Sequence, residues 1–304
     1  LLKIIELSCQ IMYNDIIGGI DMSNFILSAF ADEIDKDLTV QMDVLDSHKI
    51  KHIEMRGVNG RNITEHSLNE VREIKNQLDS RGFALSAVGS PIGKIKIYDD
   101  FPPHLDLFKH TLEIAQIMEA KYIRIFSFFL PQNDDVAIYK DEVMERLGIL
   151  VDTSRGSGVT LLHENEKEIY GESPERCLEI LRTFPQIRAT FDPANFIQCG
   201  VDALAAFETL ENYIDYLHIK DALTSDGAVV PAGAGDGNIA EILRKLKHRG
   251  FNGFLSIEPH LADFDGFADL EGGKFATANA VNSQIDKFAI ATNALKNILE
   301  EEVI

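Results

Sequence analysis

The stretch Thr160-Leu-Leu-His-Glu-Asn-Glu166 runs apolar and then ends in an imidazole and two carboxylates. Buried charges are costly unless they are paired or bind a metal. The run therefore either leaves the core at a strand end or delivers ligands to something. Related patterns recur toward the C-terminus. Ala189-Thr-Phe-Asp192 ends in an acid before Pro193, Tyr216-Leu-His218-Ile carries an imidazole, and Phe254-Leu-Ser-Ile-Glu258 ends in an acid before Pro259. The steps from 164 to 192, 192 to 218 and 218 to 258 are 28, 26 and 40 residues, about one βα unit each.

Outward from these segments the whole chain alternates. Short β-rich runs at 25–30, 52–56, 84–88, 122–127, 159–164, 189–192, 216–219 and 254–258 predict eight strands. Helical patterns fall between them at about 36–48, 66–81, 104–119, 136–156, 173–183, 201–212 and 238–249, with a last helix at about 279–301. Ser173 before Pro174 reads as a helix N-cap followed by proline at the first helical position. Gly82, Gly158 and Gly250 stand where helix terminators belong. Eight strands alternating with eight helices predict an α/β fold, a single (β/α)8 TIM barrel. Two doubly wound domains would need a linker, and no Pro/Gly/Ser-rich or charged break lies near the middle.

Met22 opens Met22-Ser-Asn-Phe-Ile-Leu, and residues 1–21 have neither a signal-peptide nor an Arg-rich transit layout. The expected division is an N-terminal extension over 1–21, outside the native domain, and the barrel over 22–304. Gly18-Gly19 fits a translated ribosome-binding site upstream of the Met22 codon; a short element capping the barrel base is the alternative. No apolar run approaches the roughly 18 residues of a membrane helix. A net charge of −20 repels phosphate backbones, so no nucleic-acid partner is expected. Cys9, Cys177 and Cys199 show no metal-type spacing and fit a reducing cytoplasm.

Strand alternation sharpens the reading. Thr160, Leu162 and Glu164 share a face, as do Thr190 with Asp192 and Ser256 with Glu258. Ala189, Phe191, Leu255 and Ile257 take the opposite faces and suit a helix layer. Active sites of such barrels sit at the C-terminal strand ends, so Glu164, Asp192, His218 and Glu258 aim at one point. Three carboxylates beside one imidazole predict one divalent ion, Mn²⁺, Mg²⁺ or Co²⁺ by the hardness of the donors, with Zn²⁺ admissible.

The segments Leu161-Leu-His-Glu-Asn-Glu166, Phe191-Asp-Pro-Ala-Asn-Phe196, Leu217-His-Ile-Lys-Asp221 and Ser256-Ile-Glu-Pro-His260 resemble the xylose-isomerase-like TIM-barrel superfamily, and within it the sugar phosphate isomerase/epimerase group. The resemblance spans about residues 24–300. It implies a metal held by Glu164, Asp192, His218 and Glu258, and a small carbohydrate as substrate. It also implies Glu164 and Glu258 as the catalytic pair, one removing the proton beside the carbonyl and the other returning one. Homo-oligomers are common in the group. This chain departs from the ketose epimerases at three positions, with Tyr170, Asn195 and Thr224 where they carry Glu, His and Arg.

Arg56, Lys94, Lys220, Asn195 and His260 are the remaining candidates for holding substrate. For Arg56 an ion pair with Glu54 or another acid is the bland alternative; for Lys94 it is solvation after a turn. His163 points away from Glu164 and is expected to pack in the helix layer. The loop Pro231-Ala-Gly-Ala-Gly-Asp-Gly-Asn238 lies where barrels bind phosphate, or is a turn with Asp236 or Asn238 capping the next helix. The loop Leu261–Ala278, with Phe264, Phe267 and Phe275, is read as a lid or subunit contact. Besides a sugar isomerase or epimerase, the residues admit a keto-inositol-type dehydratase on the same metal. An apurinic-endonuclease-like hydrolase would need several more histidines at other strand ends and a basic groove, whereas most of the nine histidines here lie elsewhere and the charge is −20. A non-catalytic sugar-binding protein would gain little from two bases at a metal.

Overall fold

A computed structural model describes residues 25–261 and 283–303. Eight parallel strands close into a barrel: β1 (Phe25–Ala29), β2 (His52–Met55), β3 (Ala84–Val88), β4 (Tyr122–Ile125), β5 (Thr160–Glu164), β6 (Arg188–Phe191), β7 (Ile214–Ile219) and β8 (Gly253–Ile257). The hydrogen-bonded order is β1-β8-β7-β6-β5-β4-β3-β2, closing β1 on β2. Around it, among the described residues, run α1 (Leu38–Ser47), α2 (Leu68–Ser80), α3 (Phe101–Ile117), α4 (Lys140–Ser154), α5 (Pro174–Thr183), α6 (Pro193–Gln198), α7 (Ala203–Leu210), α8 (Ile239–His248) and α9 (Gln284–Ile298). The expected (β/α)8 barrel is what the chain forms.

Local signals set the helix ends. Ser173 caps α5 by accepting the Arg176 N–H, with Pro174 in the first turn. Ser67 and Glu70 form a reciprocal capping box on α2. Gly82 and Gly250 directly follow the caps of α2 and α8 with φ of 67° and 69°, the left-handed conformation that ends a helix without steric cost to glycine, whereas α4 already stops at Ser154 and Gly158, at φ 80°, turns the chain just before β5. Short α6 had no counterpart among the expected helices. It begins where Asp192 accepts the Asn195 N–H and Pro193 supplies a preset φ. The Asp-Pro pair that ends a strand also opens a helix.

The barrel has two apolar layers. Leu255, Ile257, Ala189 and Phe191 face outward into the main core against the helices. Inside, Ala87, Tyr122, Leu162 and Tyr216 pack as a separate cluster. Beside them Ser28 Oγ lies 2.6 Å from Ser86 Oγ, which lies 2.7 Å from the Tyr216 hydroxyl. This neutral floor supports the charged layer at the C-terminal strand ends. Residues 1–24 and 262–282, which hold the expected extension and most of the expected lid, lie outside the described residues. No helix among the described residues is long and apolar enough to cross a membrane.

Candidate metal centre

Glu164 ends β5, Asp192 follows β6, His218 sits near the end of β7 and Glu258 follows β8. Because the strands are adjacent and in parallel register, their ends converge. One donor atom from each of the four residues lies within 4.8 Å of the others, and all four are buried. His218 Nδ1 is the hub. It lies 3.1 Å from Glu164 Oε1, 3.4 Å from Glu258 Oε2 and 3.7 Å from Asp192 Oδ2. Glu164 Oε2 and Asp192 Oδ2 are sealed from solvent and accept no hydrogen bond of good geometry, although Arg124 Nε lies 3.3 Å from the first and Lys220 Nζ 3.0 Å from the second. Three buried carboxylates held this close repel one another, and a divalent cation among these oxygens would balance their charge. The donor set fits such an ion; its hardness suits Mn²⁺, Mg²⁺ or Co²⁺ and tolerates Zn²⁺.

Further charged side chains enclose the four. Arg56, from the end of β2, reaches Asp32 at 2.7 Å, Glu33 at 3.2 Å and Glu258 at 3.2 Å. Its ion pairs are thus with acids after β1 and β8, not with Glu54. Lys220 lies 3.0 Å from Asp192 and 3.4 Å from Glu258. His260, in a left-handed turn at φ 45°, places Nε2 3.3 Å from Glu258 and 3.4 Å from Glu33. Arg124, on the inner face of β4, lies 3.3 Å from Glu164 and 3.8 Å from Glu54. Glu54 in turn meets His218 Nε2 at 3.1 Å.

The protonation preferences follow from these contacts. Burial opposes charge on His218, but Glu54 and Glu164 outweigh it and hold the imidazole well above its ordinary pKa. Burial also opposes ionisation of Glu258, yet Lys220, His260 and His218 bring its carboxyl well below the usual range. At His260 burial works against protonation, and Glu33 and Glu258 prevail, raising it to about 9.

Asn195 gives its side-chain N–H groups to Glu164 at 3.2 Å and to the Asn165 carbonyl at 3.0 Å. It braces the first ligand. Lys94 pairs with Glu166 at 3.0 Å and lies over the Phe126 ring. His163 packs outward as expected, with Nε2 3.0 Å from Ser127 Oγ. The glycine-rich loop differs from both readings of it. The N–H groups of Gly233, Gly235 and Gly237 donate to the Asp221 carboxylate at 2.8, 3.1 and 2.8 Å. A Cβ on Gly235 would lie 2.4 Å from Asp221 Oδ1, so the loop is shaped around that side chain. Asn238 occupies the N-cap of α8 in a left-handed conformation but makes no side-chain cap, and Asp236 accepts the Thr224 N–H instead. Glu54 and Arg124 were not among the site candidates. Each is a charge at an inward position of a predicted strand, and that was the available signal.

The profile of the xylose isomerase-like TIM barrel family matches residues 40–274. The chain belongs to this family. Solved structures with the same fold include a D-tagatose 3-epimerase-like protein, 19% identical with a TM-score of 0.69, covering 90% of this chain and 97% of that one. A D-psicose 3-epimerase is 16% identical with a TM-score of 0.71, covering 92% and 100%. The probable 3-DHS dehydratase AsbF from Bacillus anthracis is 16% identical with a TM-score of 0.69, covering 91% and 99%. In sequence, the chain is 25% identical over 164 residues to the uncharacterized protein MJ1311 of Methanocaldococcus jannaschii, 51% of this chain and 56% of that protein.

Proposed function

We propose that this protein is a metal-dependent isomerase or epimerase of an unphosphorylated ketose, working by proton transfer through an enediolate. The observation that carries the reading is the placement of Glu164 and Glu258. They come from β5 and β8, with β6 and β7 between them, and approach the His218 hub within 3.1 and 3.4 Å of its Nδ1. Two carboxylates flanking one point suit removal of a proton on one side and its return on the other. A divalent ion bound by Glu164, Asp192, His218 and Glu258 supplies polarisation of the ketone and its neighbouring hydroxyl. Asn195 holds Glu164 at its bracing distance, and Lys220 and Arg56 keep Glu258 ionised and oriented. The solved epimerases of the same fold support the reaction class.

Two features favour a neutral substrate. The loop after β7, where a barrel would cradle a phosphate, has its three glycine N–H groups turned onto Asp221. Arg56, Lys220, Lys94 and Arg124 all stand against carboxylates of the chain itself. A dehydratase of a keto-polyol is the second reading. His260, protonated at neutral pH and beside Glu258, is placed to give a proton to a departing hydroxyl. The test is incubation with Mn²⁺ or Co²⁺ in D₂O with ketoses, keto-inositols and their phosphates, read by NMR. Deuterium beside the carbonyl of a free ketose is expected. Loss of water marks the dehydratase, preference for a phosphate ester sinks the neutral-substrate reading, and no exchange with any substrate sinks the enediolate chemistry.

A further inference from the structure

Glu54 is a carboxylate buried at 1% exposure on the inner face of β2, a placement that is costly without a purpose. It lies outside the group of converging donor atoms. Its two oxygens stand 3.1 and 3.3 Å from His218 Nε2, on the edge of the ring opposite the ligands. The other ring nitrogen, Nδ1, faces Glu164, Asp192 and Glu258. We propose that Glu54 is a positioning residue that accepts the Nε2–H of His218, and so fixes the tautomer and ring orientation that present Nδ1 to the metal.

Neutral imidazole has one N–H and one lone pair, so a partner that accepts at Nε2 leaves the lone pair on Nδ1. Carboxylates that receive the outer N–H of a metal-bound histidine orient the ring and strengthen it as a ligand. The surroundings hold the arrangement. Phe30 meets the His218 ring edge-on at 5.1 Å and 78°, and Tyr216 does so at 5.9 Å and 85°. A flipped ring would turn carbon toward both the ligands and Glu54. Arg124 spans Glu54 at 3.8 Å and Glu164 at 3.3 Å, tying the positioning carboxylate to the first ligand. The guanidinium lies over Phe30 and Phe126, which fix its plane.

The inference rests on the reading of the four residues as a metal centre, and the test separates the two. The probe is Zn²⁺, which is diamagnetic. In ¹⁵N-histidine-labelled wild-type protein, Zn²⁺ is expected to shift Nδ1 of His218 while Nε2 keeps its proton. In Glu54→Ala the Zn²⁺ dissociation constant, measured by chelator competition, is expected to rise about 10–100-fold. Glu54→Gln, whose amide oxygen still accepts the Nε2–H, should recover most of that loss. A proton on Nδ1 with zinc on Nε2 overturns the proposal, and the wild-type spectrum decides this even if the alanine variant fails to fold. Unchanged Zn²⁺ affinity in a folded Glu54→Ala also overturns it, leaving the metal centre standing. Absence of Zn²⁺ binding to wild-type protein overturns both.

Discussion

The half of the barrel built from β5–β8 and the half built from β1–β4 meet across one layer of charge, and they contribute unlike things. The first supplies the converging donors, Glu164, Asp192, His218 and Glu258. The second supplies much of what surrounds them. Asp32 and Glu33 follow β1, Glu54 and Arg56 come from β2, and Arg124 comes from β4. The β5–β8 half also places Asn195, Lys220 and His260 directly on its own carboxylates, and the other half adds a ring of charge that meets Glu164, His218 and Glu258 from across the barrel. Metal sites need both, because ligands without an outer shell are neither oriented nor tuned.

The comparison breaks first at the ligands. Glu164→Gln and Glu258→Gln should each lower solvent-deuterium exchange into substrate by about 10²–10⁴-fold, the usual contribution of a general base. Near-normal exchange in either would remove it from the catalytic pair. The opposite half should show its role in stability. Arg56→Met leaves buried Glu33 and Glu258, with half-buried Asp32, without their shared cation, and should cost about 3–5 kcal/mol by chemical denaturation. A loss under about 1 kcal/mol would mean that half is not an ionic scaffold.

Two histidines away from the hub sharpen the contrast through pH. Burial lowers His163 and His104 to about 4 each; His163 is held against Ser127, and His104 Nε2 accepts the Gly93 N–H. The fold therefore prefers both neutral, and the unfolded chain binds the protons first. Stability from this source is fully present above about 6.5 and is lost as pH falls from there toward 4. For the fully buried His163 the loss amounts to about 3 kcal/mol. Denaturation at pH 7 and pH 4.5 measures it, and His163→Gln should flatten part of the slope. The smallest effect is a control outside the site. Ser67→Ala removes the α2 capping box and should cost about 1 kcal/mol with metal affinity unchanged.

Much of this was legible from residue order alone. All eight strands fall within a few residues of their expected places, because period-two alternation and glycine stops are local signals. The convergence of Glu164, Asp192, His218 and Glu258 was readable for a related reason: one donor at each successive strand end, at βα spacing, can only meet its fellows when the strands close. Asn195 and Lys220 were visible as neighbours of ligands, although Asn195 turns onto Glu164 itself.

Other features depended on contacts between distant segments. Arg56 was seen, but its partners are 24, 23 and 202 residues away, and sequence spacing says nothing about such pairs. The glycine loop reads as a phosphate cradle until the fold brings Asp221 into it. Glu54 and Arg124 resemble ordinary strand residues until barrel closure sets one against His218 and the other against Glu164. Periodicity and chain stops act over a few residues and are written in order. Ion pairing across a barrel depends on which strands become neighbours and how far each side chain reaches, and closure in three dimensions decides that.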